Sequence, residues 1–174
     1  MKLELIRLNE SYKKEFEEMM EEWDEYNRNP DTNHSPAAIF KNDYHDFETY
    51  VKNLDTKKDP VKGYVADTTF FGYDREIGKM VGAVSIRHEL NSYLLKYGGH
   101  IGDGIRPSYR KKGYATALIG LALKECRKMG MDKVLICCNK NNIGSARSIM
   151  NNGGILENEV ADQNEIIQRY WITL

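Results

Sequence analysis

Between positions 106 and 112 the chain places four cations in seven residues, R-P-S-Y-R-K-K, in a protein whose formal net charge is only −1. A glycine, Gly113, and an apolar run follow at once. Positive charge concentrated against a neutral background points to a local anion. The first N–H groups of a helix have no intrahelical acceptor and carry the positive end of its dipole. A glycine lets an anion come close to the main chain. Arg110, Lys111, Lys112, Gly113, Tyr114, Ala115 and Thr116 fall at such a junction, where main-chain donors would cradle a pyrophosphate and side chains would add charge. The segment lacks G-x-x-x-x-G-K-[ST], and the upstream G-D-G-I-R-P lacks the third glycine and the helix of a dinucleotide fingerprint. The competing reading is a solvated basic turn that merely starts a helix.

Other chemistries find less support. His34, His45, His88 and His100 show no metal-ligand spacing, so no metal is expected. The three cysteines, Cys126, Cys137 and Cys138, are odd in number with two adjacent, which is no disulfide framework and fits a reducing cytoplasm. Cys137 and Cys138 stand in a buried-looking strand with no helix start beside them, which argues against a thiolate nucleophile. The near-zero charge and the lack of a basic, aromatic-interleaved surface argue against nucleic acid as a partner. No apolar stretch approaches the ~20 residues of a membrane helix, and the first residues lack a signal-peptide block. A length of 174 residues, 41% of them hydrophobic and 29% charged, predicts a single domain spanning 1–174.

The elements that must position these groups follow from periodicity. Residues 3–8 alternate and predict a strand. Residues 11–26 predict a helix with Tyr12, Phe16, Met19, Trp23 and Tyr26 on one face and glutamates around the rest. Those glutamates face either a cationic amine or plain solvent. Residues 27–36 are rich in loop formers, and border a substrate site or form a surface loop. A short second helix is predicted from Tyr44, Phe47, Tyr50, Val51 and Leu54. Residues 63–73 and 78–90 predict a hairpin, and 99–107 a glycine-rich strand with a bulge or a close ligand approach. After the basic loop come a helix stopped at Gly130, a strand at 133–138, a short helix at 143–151 and two closing strands. The predicted order is β-α-α-β-β-β-α-β-α-β-β, an α/β fold.

Arg110-x-x-Gly113-x-Ala115, with a strand before it and an amphipathic helix after it, resembles the acetyl-CoA-binding motif (Q/R-x-x-G-x-G/A) of the GNAT acetyltransferase superfamily. Residues 139–154, N-K-N-N-I-G-S-A-R-S-I-M-N-N-G-G, resemble that superfamily's next segment. There an Asn, here Asn142, opens a helix beside the pantetheine arm, and a small residue follows, here Ser145. Residues 86–116 and the C-terminal strands are similar to a bacterial GNAT subgroup of unassigned substrate. The resemblance covers about residues 60–174 closely and the first part by element order.

The resemblance implies the GNAT fold, a mixed, mostly antiparallel, splayed sheet with flanking helices. It implies acetyl-CoA as co-substrate, lying between the strand at 99–106 and the strand at 133–138. Pantetheine would pair around Ile105 and Arg106, and the pyrophosphate would sit on residues 110–116. The acetyl group would pass directly to an amine of a small molecule or peptide, with a main-chain N–H polarising the thioester carbonyl. Asp103 is the first candidate base, against a reading as a solvated residue on a bulged strand. Glu89 is second. His100 and His88 follow, each with a structural hydrogen-bonding role as its competitor. Arg87 and Asn91 either bind an acidic part of the substrate or tie down the strand end, and His88 is grouped with them as substrate-binding. Tyr170 and Trp171 form core or acceptor-pocket wall. Many relatives carry a Tyr as general acid where this chain has Ile149, so another group protonates the CoA thiolate or it leaves unaided. A catalytically inactive acyl-CoA-binding module, a sensor or regulatory subunit, is the alternative. Dimerisation is a family habit.

Overall fold

In a computed structural model of the chain, residues 1–30, 32 and 34–174 are described. The expected loop at 27–36 therefore lies partly outside the described residues. The strands are β1 (Leu3–Ile6), β2 (Asp67–Asp74), β3 (Lys79–Arg87), β4 (Ile101–Ile105), β5 (Lys133–Asn139), β6 (Ile155–Asp162) and β7 (Glu165–Thr173). The α-helices are α1 (Lys13–Asn27), α2 (Phe47–Lys52), α3 (Tyr114–Lys128) and α4 (Ile143–Met150). Their order is the one the periodicity predicts.

Two sheets result, β1-β2-β3-β4 and β5-β7-β6, and every ladder within them is antiparallel. Apolar residues on opposite faces of the first sheet build two cores. On one face Phe16, Met19, Met20 and Trp23 of α1 and Phe47 and Tyr50 of α2 bury against Phe71, Met80 and Ala83. On the other, Leu118, Ile119, Ala122 and Cys126 of α3 bury against Val81, Val84, Ile86, Ile101 and Ile105. Val134, Ile136, Tyr170 and Ile172 of the second sheet join this core, so Tyr170 is core. Tyr26 leaves the α1 stripe and is exposed.

The sheets meet at one place. Gly99 bridges to Ile136, and His100 N–H donates to the Leu135 carbonyl at 2.7 Å. A Cβ at Gly99 would stand 2.6 Å from that carbonyl oxygen, and φ there is +66°, so glycine is required for the approach. Past this junction β4 and β5 share no ladder and part. The predicted strands at 3–8, 63–73, 78–90 and 99–107 overrun β1, β2, β3 and β4 at one end or both, while β5 runs one residue past its predicted end. Residues 59 and 64 exchange main-chain hydrogen bonds in a turn before β2. A π-type turn, Leu94–Gly98, intervenes between β3 and β4, where the periodicity predicts no element.

Candidate active site

The basic loop ends in a bowl of main-chain donors. Gly113 caps α3 at φ +85°, with no side-chain cap, and Lys111 is also left-handed at φ +60°. Alternation of this kind turns successive N–H groups into one concavity. Among the described residues the N–H groups of Lys111, Lys112, Gly113, Tyr114, Ala115 and Thr116 have no main-chain acceptor; the first α3 bond runs from Ala117 to Gly113.

The side chains around the bowl divide. Lys111 is exposed and, among the described residues, its side chain makes no hydrogen bond or ion pair. Arg110 Nε donates to the Ile105 carbonyl at 3.0 Å and its guanidinium lies 4.2 Å from the Tyr26 ring centroid. Lys112 Nζ donates to the Ser108 carbonyl at 2.8 Å. The Tyr114 ring is turned away: it is buried, and its hydroxyl donates to Asp74 Oδ2 at 2.7 Å, so only its main chain faces the bowl. Arg106 is drawn to α1, where Nε pairs with Glu22, which also accepts from Ser108 N–H and Oγ. Burial would raise the Glu22 carboxyl, but Arg106 and Ser108 hold it below the ordinary range. Arg106 N–H is spent on the Val81 carbonyl.

That bond fixes the phase of β4. Arg87 N–H donates to the His100 carbonyl and Arg106 N–H to that of Val81, so even-numbered residues of β4 turn their main chain to β3. Ile101, Asp103 and Ile105 turn theirs to the open edge. The Asp103 carbonyl accepts from Ser35 Oγ at 2.7 Å and the Ile105 carbonyl from Arg110, which leaves the Asp103 and Ile105 N–H groups facing the gap. Across it, Asn142 caps α4 by accepting from Ser145 N–H at 3.1 Å, and the Ser145 hydroxyl meets the Cys138 thiol.

The candidate bases separate clearly. Asp103 shares a strand face with Ile101 and Ile105, its charge reaches the Cys138 thiol, and burial pushes its carboxyl up to about 6. Glu89 is paired with Lys58 at 2.6 Å at the surface and makes no hydrogen bond to β4 or β5. His88 is exposed and meets Thr68 Oγ1 at 2.8 Å through Nε2. His100 accepts the Leu135 N–H through Nδ1 at 2.9 Å, and its ring meets Trp171 edge-on at 6.2 Å. Burial, and then the Arg87 charge, hold the His100 ring below its ordinary value.

Asn91 is spent at both ends of its amide, donating to the Gly63 carbonyl and accepting from Leu94 N–H. Arg87 Nη1 donates to the carbonyls of Gly98 and Gly99, each at 3.1 Å. Ile149 is fully buried in the α3 core. Of the α1 glutamates, Glu18 pairs with Lys79 and Glu22 with Arg106. Sequence reasoning missed Ser35, Glu22 and Tyr26; each acts across a long separation, with no local motif to mark it. Among the described residues no group of three His, Cys, Asp or Glu is placed to hold a metal ion, and no helix is long and apolar enough to cross a membrane.

Comparison with solved structures finds the same architecture. RimL, a ribosomal L7/L12 α-N-protein acetyltransferase, matches with 14% identity, covering 100% of this chain and 91% of that one, at a TM-score of 0.63. An acetyl transferase from Salmonella typhimurium that modifies the N-terminal serine of L7/L12 matches with 14% identity, covering 100% and 96%, at 0.64. The spermidine/spermine N-acetyltransferase SpeG from Vibrio cholerae matches with 18% identity, covering 99% and 92%, at 0.62. At these identities the likeness is one of fold. No curated protein sequence matches significantly. The model of the acetyltransferase (GNAT) family matches residues 6–149, and with the parted β4–β5 strands and the donor bowl already in view, the chain belongs to that family.

Proposed function

We propose that this protein transfers the acetyl group of acetyl-CoA directly to an amine of a small molecule or peptide. The observation that carries the reading is two sets of main-chain donors that, among the described residues, have no main-chain acceptor. One is the Asp103 and Ile105 N–H groups on the open edge of β4, and the other is the N–H groups of residues 111–116 at the start of α3. Those groups fit a diphosphate followed by an amide-bearing arm. Acetyl-CoA, the family's co-substrate, supplies the activated acyl group when bound.

The chain's own residues have separable tasks. Lys111, with the bowl, neutralises phosphate charge. The β4 edge orients the arm, and one of its N–H groups polarises the thioester carbonyl, a term of about 3 kcal/mol in other acyl transfers. Asp103, with a carboxyl pushed up to about 6, is ionised at neutral pH yet basic enough to take a proton from the acceptor ammonium, directly or through water. The substrates named for the solved neighbours, a protein N-terminus and a polyamine, are both amines.

The second reading is an acyl-CoA-binding module without turnover. Ile149, buried where many relatives hold a general acid, favours it. Free thiols at all three cysteines suit a reducing cytoplasm, and exposed Ile155, Leu156 and Ile166 suit a homodimer contact. Calorimetric titration with acetyl-CoA, followed by a thiol-release screen over an amine panel, tests the whole. Saturable binding with CoA release on a subset of amines supports the enzyme. Binding without release on any amine supports the module. Absence of binding to folded protein removes both.

A further inference from the structure

Arg87 carries a largely buried charge that no ion pair answers among the described residues. It ends β3 on the face that Ala83 shares with α1 and α2, and its guanidinium lies over Gly102 of β4. A Cβ at Gly102 would stand 3.2 Å from Nη2. One nitrogen, Nη1, serves the carbonyls of Gly98 and Gly99. Among the described residues the other edge, Nε and Nη2, has no hydrogen-bond acceptor, and Arg87 forms no ion pair. Asp67, its partner in the β2–β3 ladder, already gives Oδ1 to Thr56 N–H. Desolvation depresses the Arg87 ionisation, and its charge is felt at His100 and at Cys137 of β5, which places it where β4 and β5 begin to part.

A largely buried cation with no ion-pair partner among the described residues, favoured chiefly by the field of Asp67, is costly, and the Nε–Nη2 edge is the fork that pairs bidentately with a carboxylate. The same sheet face carries a second unsatisfied group. Among the described residues Thr69 Oγ1 is fully buried with no hydrogen-bond partner, two register rows from Arg87 and opposite Ser85. Gly102 places no side chain over this lane of β4, while Ser35 and Pro36 fill the space over Gly104. Asp103 directly follows Gly102 in β4 and leaves the opposite sheet face, so an anion at Gly102 would lie one residue along the strand from the candidate base, across the sheet from its carboxyl.

We infer that the Nε–Nη2 edge of Arg87 receives a carboxylate of the acceptor, so that the amine acetylated here belongs to a small amino acid-like molecule whose acid group lies a few bonds from its nitrogen. This rests on the acetyltransferase reading above and narrows its acceptor. An aliphatic polycation has no partner for Arg87 and meets like charge there.

The test uses matched acceptors that differ only at the acid. Free amino acids, their amides and the corresponding decarboxylated amines are screened for CoA release with the wild-type chain, Arg87→Gln and Arg87→Lys, alongside calorimetry with acetyl-CoA. The expected result is a preference for the acid of at least tenfold in kcat/KM. In Arg87→Gln it falls close to one, while acetyl-CoA affinity stays within twofold. Arg87→Lys keeps a charge but no fork, and loses at least threefold of the preference; it decides the matter if the Gln variant does not fold. In parallel, CoA-loaded protein with 15N-labelled arginine is titrated with N-acetylated amino acids and their amides. The Arg87 Nε signal, assigned by its loss in Arg87→Lys, moves with the acids alone. Equal turnover of acid and amide, or a preference that survives in a folded Arg87→Gln, overturns the inference and leaves the acetyltransferase standing. If no amine is turned over, an Nε signal unmoved by every acid overturns it. Failure to bind acetyl-CoA removes the underlying reading instead.

Discussion

His100 Nδ1 accepts the main-chain N–H of Leu135 at 2.9 Å, so a side chain stands where a strand carbonyl would stand at the last contact between the two sheets. The His100 N–H closes the pair on the Leu135 carbonyl. One residue thus pins β5 to β4 from both its main chain and its ring, and the strands part beyond it.

This pin has a pH signature. The bond requires a neutral ring with its proton on Nε2. Burial and the Arg87 charge hold the folded His100 below its ordinary value. As pH falls below about 6.5, the unfolded chain gains a proton that the folded chain refuses. The stability His100 contributes is complete above that value and is lost as pH falls toward the folded one. His100→Ala should cost about 1–3 kcal/mol at pH 8 by orphaning the Leu135 N–H. Its loss of stability between pH 7 and 5.5 should be smaller than the wild type's. Paired urea denaturations at the two pH values measure the difference, and equal slopes would remove the pin from the account.

Asp103 shifts in the opposite direction, with two consequences. A raised carboxyl binds its proton more tightly in the folded state, so its ionisation costs stability as pH rises from about 3.8 through about 6. Asp103→Asn should therefore be at least as stable as the wild type at pH 8. It should lose about 10²-fold in kcat/KM, and with it the ascending limb near pH 6, while binding acetyl-CoA normally. Thermal melts and a pH–rate profile check both parts. An unchanged profile would show that the base is another group.

How much of this could be read from the sequence depends on range. Element order follows from periods of two and 3.6, which are local. The donor bowl is local too, since residues 110–116 carry their own glycine and helix start. Roles set by distant partners are not legible. Arg106 reads as a cofactor ligand until Glu22, 84 positions earlier, is seen to hold it. The Tyr114 side chain reads as a packing or adenine-side residue, but its partner Asp74, 40 positions away, is not legible. The phase of β4, which decides that Asp103 and Ile105 rather than Arg106 face the gap, comes from its register with β3.

The clamp from Glu22 makes its own prediction. The Arg106 side chain is 12% exposed and Glu22 25%, so the pair is shielded from solvent screening. Glu22→Gln removes the counter-charge and weakens the hold on Ser108. It should cost about 2 kcal/mol of stability and weaken acetyl-CoA binding several-fold, because the loop entering the bowl loses its anchor on α1. Calorimetry and thermal denaturation on one preparation separate the two effects.

Gly113 tests the bowl without touching a charge. At φ +85° any other L-residue is strained, although a Cβ there would meet nothing closer than Met1 Cε at 3.9 Å. Gly113→Ala should cost about 1–2 kcal/mol through the backbone alone. It should reduce acetyl-CoA affinity about tenfold as the N–H groups of residues 113–116 turn out of alignment. Normal affinity in a folded variant would place the diphosphate elsewhere.

Ile149 bears on how the thiolate leaves. Its side chain is fully buried in the core built by α3, β5 and β7, and a Cβ at Gly154 would already meet Ile149 Cγ2 at 2.5 Å. A tyrosine there has no room to reach the gap between β4 and β5. Ile149→Tyr should overpack the core, cost about 1–3 kcal/mol and leave kcat no higher. With no acid at that position, a thiol of ordinary pKa near 8.5 can depart as thiolate. The wild-type profile of kcat/KM should then rise through about pH 6 with Asp103 and stay level to about pH 9, instead of falling as a general acid deprotonates. A descending limb below pH 9 that disappears on mutating one tyrosine or cysteine near β5 would identify a proton donor and replace unaided departure.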